Sequence, residues 1–231
     1  MKKILLLLSL FSIISCSNDD EQEATFQGTE QEITQIFNEE VFETLRMLQF
    51  TINQGAEPPN LEGMFFASPF ILTDTNIPED QVGTRTSDFR FEFSNQDNAT
   101  NTIDFSGASI NFILNEVRET FSGAGSSFIS GNNNDFSVFS IIEGQNEATG
   151  SILDLAYVLS GIISDEGILS LELAIIILDD RGDSFDIFIE NGQGRKFIDE
   201  DGLSEAIDAN DDIPSKGTVT AETIPNLLSG Y

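Results

Sequence analysis

From about residue 62 to residue 198 the chain alternates apolar and polar positions in short runs separated by turn-forming clusters. Phe89, Phe91 and Phe93 interleave with Asp88, Arg90 and Glu92, which gives a strand one apolar and one polar face. Leu153, Leu155, Tyr157, Leu159 and Ile163 form a second row of this kind, and Leu169, Leu171, Leu173, Ile175 and Ile177 a third. Phe185, Ile187 and Ile189 follow, with Asp186 and Glu190 on the opposite face. Asn95–Asn98, Gly131–Asn134, Ser164–Gly167 and Asp179–Asp183 supply turns between the runs. The pattern predicts strands over about 62–73, 86–94, 102–113, 119–129, 135–143, 149–163, 168–179 and 184–198.

The segment before them reads differently. Ile33, Phe37, Val41, Leu45, Leu48 and Ile52 recur at steps of three and four, the stripe of one amphipathic helix over 29–56. Thr29 and Glu32 suit a capping box, and Gly55 with Pro58-Pro59 suits a stop. No helical segment separates the later runs, so βαβ crossovers are excluded and the sheet is expected to be antiparallel. Short connections and long late strands predict an all-β domain over 57–200, with the one N-terminal helix plugging or flanking it. Its expected form is an antiparallel up-and-down barrel, lipocalin-like in shape, with a β-sandwich as the alternative. Residues 201–231 lose the alternation and turn acidic, ending on an apolar Ile224-Pro-Asn-Leu-Leu.

The first residues carry an address. Lys2 and Lys3 precede an apolar run from Ile4 to Ile14, the layout of a secretory signal peptide. Eleven residues span about 16 Å as a helix, against about 30 Å of bilayer hydrocarbon, so the run is too short to anchor the chain. Ile13-Ile14-Ser15-Cys16 resembles the lipobox of bacterial lipoproteins. The resemblance implies that residues 1–15 are removed and that Cys16 is lipidated through its sulfur. Ser17, Asn18, Asp19, Asp20 and Glu21 are similar to the acidic export signal of Bacteroidota lipoproteins displayed on the outer face of the outer membrane. Residues 16–28, polar and without periodicity, then read as the lipidated cysteine and a flexible tether.

Three further stretches are similar to an uncharacterised group of Bacteroidota outer-membrane or surface lipoproteins. They are Pro59–Phe65 with Ser68-Pro69-Phe70, Phe128–Asn132 with Phe136–Phe139, and Gly194–Gly202. The resemblance runs from about 33 to 205. It implies the same address and an all-β domain, and it implies no activity.

Composition narrows the chemistry. Cleavage before Cys16 leaves 8 basic against 40 acidic residues, a net charge of −32. Such a chain repels phosphate backbones and anionic lipid, so nucleic acid is no partner and membrane attachment must come from N-terminal acyl chains. Cys16 is the only cysteine, so there is no intrachain disulfide. The absence of histidine removes Ser-His-Asp triads, Cys-His dyads and imidazole-held metals.

Three arrangements then remain to be weighed. Asp199, Asp201, Glu205, Asp208, Asn210 and Asp212 make an oxygen-rich run, a candidate Ca²⁺ site. It lacks EF-hand spacing, since Ile213 stands where Gly is needed and Val219 where Glu is needed, and Asp201-Gly202 also suits a plain turn. Arg181-Gly182-Asp183 matches an adhesion tripeptide but sits where a hairpin turn explains each residue. Asp154 and Glu172, on polar faces of neighbouring strands, are a carboxylate pair of the kind that hydrolyses glycosides. The 20 phenylalanines pose the last choice. Phe66, Phe70, Phe89, Phe91, Phe93, Phe105, Phe112 and Phe136 either line an open interior for an apolar ligand or fill it, and filling is the expectation. The reading is a surface-exposed, lipid-anchored binding or interaction protein without enzymatic activity, a candidate accessory subunit with an outer-membrane protein partner. The alternatives are a carrier of a small apolar ligand and, more weakly, an Asp/Glu-dependent glycoside hydrolase.

Overall fold

The period-two rows become antiparallel strands that follow one another around a ring. The computed structural model describes residues 25–208 except 112, 115, 124–126, 146–150 and 183–187. Two short helices come first, α1 (Glu30–Ile36) and α2 (Glu39–Met47). The strands are β1 (Ala56–Glu57), β2 (Gly63–Ala67), β3 (Phe70–Thr75), β4 (Asp88–Asp97), β5 (Thr102–Asn111) and β6 (Glu116–Ser122). They continue as β7 (Ser127–Asn132), β8 (Asp135–Gln145), β9 (Ile152–Ser164), β10 (Gly167–Asp179), β11 (Gly194–Asp199) and β12 (Leu203–Ile207).

Three neighbouring pairs behave as single bent strands. β11 and β12 both lie along β10, through Ile198↔Glu172 and Leu203↔Leu169. On their other side they meet β3 and β2, through Asp199↔Phe70 and Glu205↔Phe66. β6 and β7 likewise share β5, through Ser122↔Ser106 and Phe128↔Thr102. Eight bent strands therefore pair in chain order and the last pairs with the first, an up-and-down barrel. Closure is uneven. Among the described residues Thr102↔Phe128 and Ile103↔Ser127 join β5 to β7, whereas β8 pairs β9 along its whole length, Asp135↔Ile162 to Gln145↔Ile152.

The interior is aromatic. Phe65, Phe89, Phe91, Phe93, Phe105, Phe136 and Phe197 all lie in it, each at most 3% exposed. Phe91 stacks on Phe65 and Phe89 at centroid distances of 5.5 and 5.0 Å and meets Phe93 edge-on at 5.6 Å. Phe93 reaches Phe136, and Phe105 reaches Tyr157, both at 6.3 Å, so rings from distant strands meet across the barrel. Offset and edge-on pairs at these distances add to the area that burial removes from water.

A second core lies outside the ring. Ile33, Val41, Leu45 and Leu48 pack on Phe139, Ala156, Val158, Ala174 and Ile176 of β8, β9 and β10. The helices therefore flank the barrel and do not plug it, and β9 is buried on both faces from Leu155 to Leu159. After α2, residues 50–57 run on as a strap over the same strands. Thr51 N–H donates to Glu172 (2.8 Å), Asn53 N–H to Ser137 Oγ (2.8 Å) and Ser130 Oγ–H to the Asn53 carbonyl (2.6 Å). The strap ends as β1, parallel to β7. Gly131 has φ 154 there, and a Cβ on it would strike the Asp135 carbonyl oxygen.

Several sequence expectations are corrected. The single helix over 29–56 is two helices. The Thr29–Glu32 capping box is present, but Asn38 caps a new start, its Oδ1 accepting from Val41 N–H at 2.8 Å. α2 stops at Leu48 in a Schellman arrangement, Phe50 N–H to the Leu45 carbonyl and Gln49 N–H to the Arg46 carbonyl. Gln49, with φ 52, holds the left-handed position that glycine would have advertised. Of the strand expected over 184–198, the described residues are in strand from Gly194 on. Phe188 and Ile189 instead enter the interior from a loop, while Phe185 and Ile187 lie outside the described residues. β12 carries the sheet past residue 200 to Ile207.

Candidate functional site

Asp199 is the buried carboxylate of the acidic run singled out above. It closes β11 and is 3% exposed. Its Oδ2 accepts from Ser204 Oγ at 2.9 Å, and among the described residues its buried Oδ1 meets no donor in good hydrogen-bond geometry. Burial pushes its pKa up to about 6 and the charge of Asp201 adds to this, against Ser204 and the Ser68 backbone. Asp201 shapes the turn, its Oδ1 accepting from Leu203 N–H at 3.1 Å, and Gly202 follows with φ 85. Glu205 is exposed on β12, Asp208 is exposed just beyond it, and Asp212 lies outside the described residues. Among the described residues no three such groups gather as ligands for one ion. From Asp199 to Ile207 the run is a turn with one buried acid, followed by a strand, and Asn210 lies outside the described residues with Asp212.

Asp154 and Glu172 are not brought together. Asp154 pairs in register with Asp179 and Glu172 with Ser160. Six residues of β9 separate the two positions, about 20 Å along a strand. Each is otherwise engaged. Arg181 grips Asp154 through Nη2 (2.7 Å) and Nε (3.1 Å) and reaches Glu143 at 3.0 Å, while Glu172 holds the strap. Arg181 and Gly182 form a turn in which their N–H groups donate to Asp179 and Asp180, each at 2.8 Å. Asp183 lies outside the described residues, as do Cys16 and the segment Ser17, Asn18, Asp19, Asp20 and Glu21.

Among the described residues the aromatic interior is closely filled. A recess lined by Phe70, Thr86, Phe89, Ser109, Tyr157 and Phe197, among others, holds about 10 Å³, the space of one water. Of the phenylalanines proposed to face inward, Phe70, Phe89, Phe91, Phe93, Phe105 and Phe136 do so. Phe66 does not, because Phe65 and Ala67 take the inner face of β2, and Phe112 lies outside the described residues.

Sequence reasoning missed a buried ion pair. Arg195 Nε and Nη2 donate to the two oxygens of Asp80 at 2.6 and 2.7 Å, with both side chains at most 5% exposed. Burial opposes the charge on Asp80, but Arg195 and a 2.7 Å bond from Thr75 Oγ1 outweigh it and lower its pKa. Beside it, Lys196 reaches Asp74 at 2.9 Å and the Gln49 carbonyl at 3.2 Å, fastening the end of α2 to β11. The available signal was scarcity. With 10 basic residues in the chain, two adjacent ones in a strand call for buried partners.

Apolar side chains stand out at one end of the barrel. Val82 in the β3–β4 connection is 63% exposed, and Ile113 and Leu114 at the β5–β6 turn are 77% and 63% exposed. Phe26, near the start of the described chain, lies at the opposite end, where its carbonyl accepts from Asn101 of the β4–β5 turn at 2.8 Å. Among the described residues no helix is long and apolar enough to cross a membrane.

No protein-family model matches the chain, and no curated protein or solved structure matches it either. The stretches that carry the lipoprotein resemblance have structural duties here. Ser130 and Ser137 hold the strap, Arg195 and Lys196 pair with Asp80 and Asp74, and Asp199 to Gly202 turn β11 into β12.

Proposed function

We propose that this protein is a lipid-anchored interaction domain on the outer face of the outer membrane, an accessory subunit that binds another protein through its exterior. The observation that carries this is the filled interior. Among the described residues the recess in the aromatic interior has space for one water, too little for an apolar ligand, and this packing supports surface binding over a carrier. The separation of Asp154 from Glu172 likewise removes the carboxylate pair that suggested a glycoside hydrolase.

Attachment through acyl chains on Cys16 fits the position of Phe26, which brings the tether to the end of the barrel opposite Val82, Ile113 and Leu114. Exposed apolar loop tips on a chain of net charge −30 are costly for solubility and suit a partner with a matching apolar recess. The test is recovery of partners from detergent-solubilised outer membrane with the lipidated chain as bait. Wild type should retain a stoichiometric protein that Ile113→Ser with Leu114→Ser loses, while the urea midpoint of the bait stays unchanged. Retention indifferent to these changes would place the contact elsewhere. A saturable apolar ligand co-purifying with the bait would favour the carrier.

A further inference from the structure

Leu169 is turned out of the barrel by a bulge. The β9–β10 register slips between Leu169 and Glu172, and Ser170 there has φ 51. Ile168 and Leu171 are both fully buried as a result, and Leu169 is left 39% exposed. Its partner across β9 is Ile162, 38% exposed, and its partner on β12 is Leu203. One register step on, Gly167 pairs with Glu205 and Glu205 with Phe66, and beyond these Ile207 pairs with Met64. Gly167 has no side chain, and a Cβ there would run into the Ser204 carbonyl oxygen, so the backbone forms a shallow floor.

Ile162, Leu169, Leu203, Phe66, Ile207 and Met64 make an apolar strip across the outer face of β9, β10, β12 and β2, interrupted by the exposed Glu205. The middle of the outer face of β8, β9 and β10 is covered, by α1 and α2 over Ala156, Val158, Ala174 and Ile176, and by the strap as far as Glu172. Among the described residues the strip lies beyond that cover, with Leu169 and Ile162 exposed.

We infer that the C-terminal segment around Ile224–Leu228 docks in this strip. β12 ends at Ile207 inside the strip, so the chain leaves the barrel at the site itself. From Asp208 to Ile224 an extended chain spans up to about 50 Å. Crossing from β12 to β9 takes about 10 Å at the spacing of paired strands. A segment tethered this closely is present at an effective concentration in the millimolar range. Ile224, Leu227 and Leu228 form the apolar cluster of the chain beyond Ile207. Charge argues in the same direction. Residues 214–231 carry Lys216 and Glu222 and are neutral overall, whereas a second copy of this chain would bring a net charge of −30 against Glu205 and its own like-charged surface.

The test uses the full lipidated chain with a photoreactive side chain in the strip, Leu169→benzoylphenylalanine, and peptide mapping of the adducts. Irradiation should join residue 169 to a peptide within 224–231 of the same molecule. Leu227→Ser with Leu228→Ser should reduce that adduct several-fold and raise the signal of a hydrophobic dye. Adducts at the mass of a dimer, adducts to lipid or to another protein, or an intramolecular yield unchanged by the double substitution would each overturn the inference.

Discussion

Replacing Asp199 by asparagine should stabilise the protein, and by more as the pH rises. The carboxyl is buried with one oxygen meeting no well-placed donor among the described residues, and its pKa stands at about 6 against an ordinary 3.8. In the range between those values the folded chain holds a proton that the unfolded chain has released. Folding is therefore fully favoured by this group below about pH 4, and that contribution is lost as the pH rises through 6. Holding the carboxyl at about 6 and not 3.8 is worth about 3 kcal/mol. The amide that Asp199→Asn introduces would keep an acceptor for Ser204 but lose the charge-assisted part of that bond, about 1 kcal/mol. The expected gain for Asp199→Asn is thus about 1–3 kcal/mol at pH 7.5 and close to zero or slightly negative at pH 4.5. Urea denaturation of both proteins at intervals from pH 4.5 to 7.5 measures it. Taking the difference between them cancels the many other carboxylates, provided these titrate alike in both. Asp201→Asn offers a control, because removing the neighbouring charge should move the midpoint of the pH dependence downward. A stability difference that stays flat across this range, or a variant less stable than wild type at pH 7.5, would refute the reasoning.

Phe91→Ala should cost about 3–5 kcal/mol in chemical denaturation, because the ring is 1% exposed and stacked between Phe65 and Phe89. A small loss together with a saturable dye site would indicate an open interior instead. Arg195→Ala should cost about 3–5 kcal/mol by stranding Asp80, whereas the joint change Arg195→Met with Asp80→Leu should recover most of it. Equal losses for the single and double variants would show that the pair acts through packing alone. Cys16→Ser should abolish incorporation of radiolabelled fatty acid, and Asp19→Ala, Asp20→Ala and Glu21→Ala together should keep the label but lose protease accessibility on whole cells. Labelled Cys16→Ser chain would end the lipobox reading.

Local rules made much of this architecture legible in advance. Period-two rows such as Phe89-Phe91-Phe93 name their own inner face, since successive side chains in a strand point to opposite sides. The Thr29–Glu32 box and the Asp201-Gly202 turn are read from residues a few positions apart and are present as expected. The same holds for most of the strand positions and for the chain order of the barrel, where short connections force neighbours in sequence to be neighbours in space. Tertiary structure decided what depends on residues far apart in the chain. Phe65 faces in and Phe66 out because β2 pairs with β4 in the register Phe65↔Phe91. Leu169 faces out because a bulge at Ser170 breaks a row that looks continuous in sequence. The outer face of β9 and β10 is dry over Ala156, Val158, Ala174 and Ile176 because two helices more than a hundred residues earlier lie on it. Asp199 reads as one more solvated acid in an acidic stretch. It is buried because β12 folds back between β10 and β2, and the energy of that placement is a property of the surroundings and not of the residue.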